Sequence, residues 1–141
     1  MAKGASISGF PEWLPSERVV EQRVIDTLRK VFELNGFIGI ETRAVETGAS
    51  LLKKGETSKE IYLLSRLQEV GHESDTPIEE RLGLHFDLTV PLSRYVVEHS
   101  GALAFPFKRW QIQKVWRGER PQEGRFRELV QAAIDVIGAG D

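Results

Sequence analysis

Residues 107–138 constrain the fold more than any other stretch of this chain. Phe107 to Arg117 reads as a strand by composition, and Arg125 to Gly138 reads as a second strand by alternation. The run between them, Gly118-Glu119-Arg120-Pro121-Gln122-Glu123-Gly124, is charged and rich in turn formers. Two such runs joined by such a loop predict an antiparallel hairpin. Successive side chains point to opposite faces of a strand. In the first strand Arg109, Gln111, Gln113, Val115 and Arg117 share one face, with Trp110, Ile112 and Trp116 on the other. In the second, Arg125, Arg127, Leu129, Gln131, Ala133 and Asp135 share one face. Phe126, Val130, Ala132, Ile134 and Val136 form the other, which is expected to face a core.

The polar face has two readings. Antiparallel sheets often leave one face wet, and that alone would account for it. Two details point to a binding floor instead. Gln131, Ala133 and Asp135 are not the Lys, Glu and Thr of a merely solvated surface. The arginines cluster beside the loop, where guanidinium groups can grip phosphate in two-pronged, charge-assisted hydrogen bonds. The face therefore offers a phosphate end and an ammonium end.

Upstream, residues 1–15 are small and polar with Pro11 and Pro15, and read as a loop or arm. Ser16 is the expected N-cap of a helix, with Glu17 in its first turn. Val20, Val24, Leu28, Val31 and Phe32 recur at helical spacing, and Asn35-Gly36 supplies a stop. Strands are expected at Phe37–Thr42, Glu60–Leu64 and Arg81–Phe86, with a short helical turn within 45–55 and an acidic loop over 68–80. Thr89 is the expected cap of a second helix that carries Pro91 in its first turn, buries Leu92, Tyr95 and Val96, and ends at Ser100-Gly101. The pattern gives an α+β class with an antiparallel sheet and flanking helices, and 141 residues fit one domain.

Composition narrows the function classes only a little. Lys plus Arg is 19 against Asp plus Glu 21, a net charge of -2. A nucleic-acid partner would need a local basic patch rather than a basic total. With no cysteine there is neither a disulfide nor a thiolate metal site. No apolar run reaches the roughly 18–20 residues of a membrane helix, and the start lacks a secretory pattern. A cytoplasmic protein is the expectation. His72, His85 and His99 are read as loop, strand and helix-end residues rather than metal ligands, and Trp110 and Trp116 as core.

Trp116-Arg117-Gly118-Glu119-Arg120-Pro121-Gln122-Glu123-Gly124-Arg125-Phe126-Arg127-Glu128, followed by Leu129-Val130-Gln131 and Ile134-Asp135-Val136-Ile137-Gly138, resembles motif 2 of class II aminoacyl-tRNA synthetases in its histidine-specific form. Phe86-Asp87-Leu88-Thr89-Val90-Pro91-Leu92-Ser93-Arg94-Tyr95 resembles that family's amino-acid-binding turn, residues 86–95. The helix and the following stretch to Thr47, about 16–47, resemble motif 1, and motif 2 spans about 107–138. On this resemblance the chain is part of the catalytic domain of a histidine–tRNA ligase. It implies that histidine and ATP form histidyl-adenylate, with Mg²⁺ on the phosphates, and that the histidyl group passes to the acceptor end of tRNA(His). It implies that Arg117 is catalytic and grips the α-phosphate and the activated carboxylate. Glu119, Arg125 and Leu129 join Arg117 in binding ATP, and Asp87, Thr89, Gln131 and Asp135 hold histidine with it. No metal ligand is implied among the side chains, and a homodimer through the motif 1 region is.

Three positions depart from the family pattern. Ala44 stands in place of the motif 1 proline, His85 in place of an arginine, and Leu129 in place of a phenylalanine that stacks on adenine. The resemblance places motif 3, with its ATP-binding arginine, and the anticodon-binding domain after Asp141. The 141 residues are therefore expected not to activate histidine alone, and to leave the face of Val130 and Ile134 uncovered, so that the chain is marginally stable or self-associates. Two other functions compete. One is the histidine-sensing regulatory subunit of ATP phosphoribosyltransferase, a non-enzymatic paralogue, against which the intact Arg117, Glu119 and Arg125 argue. The other is a truncated dimerisation module.

Overall fold

A computed structural model describes residues 4–54, 59–71 and 75–138. His72 and Asp141 lie outside the described residues. The order is α1 (Pro15–Leu34), β1 (Ile38–Gly39), β2 (Val45–Thr47), α2 (Gly48–Leu51), β3 (Leu82–Leu84), α3 (Thr89–His99), β4 (Phe107–Trp116) and β5 (Glu128–Ile137). The architecture is α+β, as the pattern predicts.

β4 and β5 pair antiparallel along their whole length, from Phe107 opposite Ile137 to Trp116 opposite Glu128. Residues directly opposite share a face, so the register puts Arg109, Gln111, Gln113, Leu129, Gln131 and Asp135 on one face. The hairpin is tighter-bounded than its composition suggests. β5 starts at Glu128, and Arg125 to Arg127 belong to the loop, where Arg125 N–H donates to the Gln122 carbonyl at 2.9 Å. Gly124 sits at φ +74°, a conformation favouring glycine, and lets the loop turn back.

Other expectations need correction. β1 joins the sheet parallel to β4, with Ile38 opposite Arg109, so the sheet is mixed rather than antiparallel throughout. The connection from β1 to β4, residues 40–106 with α3 in it, is long enough to return the chain to the same end, as parallel pairing requires. Glu60–Leu64 forms no strand, only a bridge from Leu63 to Gly83 with Leu64 N–H on Leu82 O at 2.9 Å. β2 and β3 form a separate antiparallel pair, Val45 opposite Leu84. The N-cap of α1 is Leu14, not Ser16: Pro15 takes the first helical position, and the Glu17 carboxylate accepts Leu14 N–H at 3.3 Å. At α3 the cap position is Leu88, and Asp87 Oδ1, not Thr89, accepts the Val90 N–H at 3.2 Å. Of the predicted α3 stripe, Leu92 is buried while Tyr95 and Val96 are half-buried.

The core lies between the odd-numbered face of the hairpin and the segment 83–92. Leu51, Phe86, Leu88, Leu92, Phe107 and Val115 are buried there. Thr42, Glu46, His85, Asp87, Arg109 and Gln111 are buried beside them. Glu46 on β2 clamps Arg94 on α3, with Nε 2.7 Å from Oε1, which ties this covering layer together. Gly48 is required where α2 meets the 78–80 turn, because a Cβ there would run into the Ile78 carbonyl.

The expected core face of β5 is the larger surprise. Val130, Ile134 and Val136 are 37%, 44% and 46% exposed. The helix α1 packs along β1 and β4 on that side, and no residue of α1 is fully buried. The apolar row of β5 stays open, as the expectation for Val130 and Ile134 had it. Trp110 and Trp116 are half-buried rather than core.

Candidate active site

The polar face of the hairpin is built from the bottom by alternation and from the top by the turn that precedes α3. Gln111 Nε2 donates to Thr42 Oγ1 at 2.8 Å and to Gln113 Oε1. Gln113 Nε2 donates to Thr42 O at 2.9 Å, and its Oε1 accepts Thr42 N–H at 3.0 Å. Buried polar side chains persist when every donor and acceptor is matched, and this row is nearly closed. Gln131, opposite Gln113, is the exception: its Oε1 is buried and has no hydrogen-bond partner among the described residues. Gln113 Oε1 accepts from Thr42 and Gln111, its Nε2 donates to Thr42 O, and neither group bonds to the Gln131 oxygen.

Two positions along the same face, Asp135 is held by Arg109, whose Nη1 donates to Oδ2 at 2.7 Å. Arg109 Nη2 also donates to Leu88 O at 3.2 Å, so the turn carrying Asp87 and Thr89 sits over this part of the sheet. Asp87 is buried, and Thr89 is exposed at the start of α3. Burial pushes the Arg109 guanidinium below its usual range, and the adjacent Asp135 opposes that shift. A carboxylate offers about four lone-pair sites, so Asp135 keeps acceptor capacity beyond the bond to Arg109.

At the loop end, Arg117 continues the pairing of the hairpin through its N–H to Arg127 O at 2.8 Å. Its Nε donates to Phe86 O at 3.0 Å, which fastens the guanidinium to the same turn. Glu119 lies against Glu60. The hydrogen bond with Glu119 raises the Glu60 pKa, burial and the charge of Glu119 add to it, and Arg117 counters. Arg125 is exposed on the loop, and Leu129 is half-buried on the face of Gln131. His85 is buried, stacked on Trp116 at 5.6 Å, with Nε2 2.7 Å from Lys114 O. Among the described residues no three His, Asp, Glu or Cys side chains gather as a metal cage. A hollow of about 1270 Å³ is lined by Phe10, Trp13, Ile25, Ile112 and Val130, and its lining also includes Gln113 and Leu129.

Gln131 and Asp135 share one face, Arg109 ties Asp135 to the turn that carries Asp87 and Thr89, and Arg117 bonds to the same turn at Phe86 O. Arg125 lies apart, out on the loop. Sequence reasoning placed Arg109, Gln111 and Gln113 on this face and gave them no role. Their signal was the alternation itself, since three long polar side chains on a β strand need partners once covered.

The chain matches no protein-family profile. It is 99% identical over 141 residues to the histidine–tRNA ligase of Bifidobacterium longum subsp. infantis, covering all of this chain and 30% of that protein. It is 64% identical over 147 aligned positions to the histidine–tRNA ligase of Micrococcus luteus, covering 99% of this chain and 32% of that protein. The chain therefore spans about a third of the length of the curated relatives it matches. Among solved structures it resembles histidyl-tRNA synthetase from Nostoc, with a TM-score of 0.80 and 42% identity over 99% of this chain and 30% of that one. No helix among the described residues is long and apolar enough to cross a membrane.

Proposed function

The chain belongs to the histidine–tRNA ligase family, and we propose that it supplies the amino-acid floor and the phosphate-gripping loop of an active site that activates histidine with ATP and transfers it to tRNA(His). The observation that carries this reading is the unpartnered Gln131 Oε1. A buried acceptor left unmatched costs about 1–3 kcal/mol, and an ammonium N–H from a bound amino acid would satisfy it. Asp135 on the same face and Asp87 in the turn above add negative charge where that ammonium would lie.

The chemistry follows from this placement. A carboxylate oxygen of histidine attacks the α-phosphorus of ATP, the bond to pyrophosphate breaks, and charge builds on the α-phosphate oxygens. Arg117, anchored by its Nε to Phe86 O, keeps its terminal nitrogens for that charge, a fixed cation of the kind that stabilises a transition state. Arg125 on the loop reaches the outer phosphates, Glu119 lies at the adenine end, and Leu129 gives the base apolar contact. The terminal ribose hydroxyl of the tRNA then attacks the histidyl carbonyl and AMP leaves. Magnesium suits this arrangement when it rides on the nucleotide phosphates, because it binds through few carboxylates and retains water. It would help neutralise pyrophosphate. We place the protein in the cytoplasm, as a homodimer through the motif 1 region, where Val19, Val20, Val24 and Ile38 are exposed.

Histidine-dependent pyrophosphate–ATP exchange tests the reading. A chain extended to the length of the relatives exchanges, and the 141-residue chain exchanges at least about 10²-fold more slowly, the loss of one well-placed transition-state contact. Exchange by the short chain within about tenfold of the long one, roughly 1.4 kcal/mol, would show that no further arginine is needed. No exchange by either would favour a histidine-sensing regulatory paralogue.

A further inference from the structure

We propose that Arg109 is a positioning residue for amino-acid recognition, a buried fork that locks Asp135 to the turn of Asp87 so that the two sides of the ammonium site hold one geometry. The inference rests on the function proposed above and names a residue the family resemblance does not assign. Arg109 is 0% exposed, the largest fully buried side chain in the described chain. Its donors reach three separate acceptors. Nε donates to Gln111 Oε1 at 3.1 Å, Nη1 to Asp135 Oδ2 at 2.7 Å and Nη2 to Leu88 O at 3.2 Å. These partners belong to β4, β5 and the turn before α3. Only a planar guanidinium presents donors in a rigid fork that spans such a set.

The arrangement is costly for a structural role alone. A buried cation carries a desolvation penalty that an apolar residue of similar volume would avoid, and Asp135 is itself 49% exposed on its side chain. What the fork adds is orientation. With one carboxylate oxygen fixed, the rotamers of Asp135 collapse to those that keep the other acceptor sites on the face it shares with Gln131. Fixing Leu88 O at the same time sets the height of the Asp87 turn above them. Preorganised acceptors bind a ligand cation without paying for their own ordering.

The test compares wild type, Arg109→Met and Arg109→Lys in the full-length protein by pyrophosphate exchange. Arg109→Met raises the histidine KM by about tenfold or more, as loss of charge-assisted hydrogen bonds implies, with the ATP KM within about twofold. Arg109→Lys rescues little, because an ammonium cannot span the fork. In an Asp135→Asn background the Arg109→Met effect on histidine KM shrinks, since both changes break one contact. Equal KM changes for both substrates, full rescue by lysine, or additive effects in the double variant would overturn the inference. Absence of histidine-dependent exchange in wild type would instead overturn the function on which it rests. Should the Arg109 variants fail to fold, the wild-type guanidinium resonances of Arg109 serve: they shift on adding histidine and stay put on adding ATP, and no shift with histidine overturns the proposal.

Discussion

The two faces of the β4–β5 hairpin reverse the usual assignment of polar to solvent and apolar to core. The odd face carries Arg109 and Gln111, which are buried, and Gln113 and Gln131, which are half-buried. The even face of β5 carries Val130, Ile134 and Val136, and it is open. Side-chain polarity did not decide this. The 83–92 segment lies over one face, bonded through His85, Phe86 and Leu88, and α1 packs on β1 and β4. A polar face can be buried when its groups satisfy one another, and here Thr42, Gln111, Gln113, Arg109 and Asp135 do so. The gap on this face, at Gln131, is what a binding floor needs; His85 Nδ1 in the covering segment and Trp110 Nε1 on the opposite face are also without a partner among the described residues.

The strongest way to break the comparison is to release the cover. Arg94→Ala leaves the Glu46 carboxylate, whose side chain is 0% exposed, without its main counter-charge. Removing one partner of a buried pair costs about 3–5 kcal/mol. Urea denaturation measures this, and a loss below about 1 kcal/mol would place the pair with weak surface bridges. Next in size, Gln111→Ala strips partners from Arg109 Nε, Thr42 Oγ1 and Gln113 Oε1, at about 1–3 kcal/mol by unfolding. On the open face Ile134→Thr changes the stability of the 141-residue chain by less than about 1 kcal/mol. The same row drives self-association through exposed apolar surface, so Ile134→Glu lowers the sedimenting mass. A monomer at every concentration in the parent chain would contradict that.

The smallest effect is in pH. The hydrogen bond from Lys114 holds the Glu128 carboxyl below its ordinary range, with help from Trp116. A depressed acid pKa contributes stability above the unfolded value and loses it as pH falls through the folded one. Lys114→Ala therefore flattens the acid limb of the stability curve below the ordinary glutamate value, by a few tenths of a kcal/mol on an exposed pair. Glu60, raised by its hydrogen bond to Glu119, has the opposite sign. It favours the fold at low pH and loses that contribution as pH rises through its folded value, so Glu60→Gln removes a stability decline toward neutral pH.

The hairpin, both long helices and the sidedness of Gln131 and Asp135 were legible because alternation and helical periodicity are local properties. The strand expected at Glu60–Leu64 does not form, and Leu63 makes only a bridge to Gly83. Parallel pairing of β1 depends on the path of the 40–106 connection to β4, which no local pattern encodes. Apolar alternation on β5 says that a face wants burial, not that an element of these 141 residues lies over it, and Val130 and Ile134 are exposed as expected. Arg109 was visible as a polar residue on the face. Its role emerges only from acceptors 26 residues away at Asp135 and 21 away at Leu88.

The central claim is that the covered polar face receives the amino acid at Gln131. Its most direct test is the dependence of pyrophosphate exchange on each substrate in Gln131→Ala, made in the full-length protein. Truncation removes the waiting acceptor but touches neither Arg117 nor the loop. The histidine KM rises by about tenfold, the loss of a single hydrogen bond to a charged group, while the ATP KM stays within about twofold. Equal rises for histidine and ATP would contradict the claim.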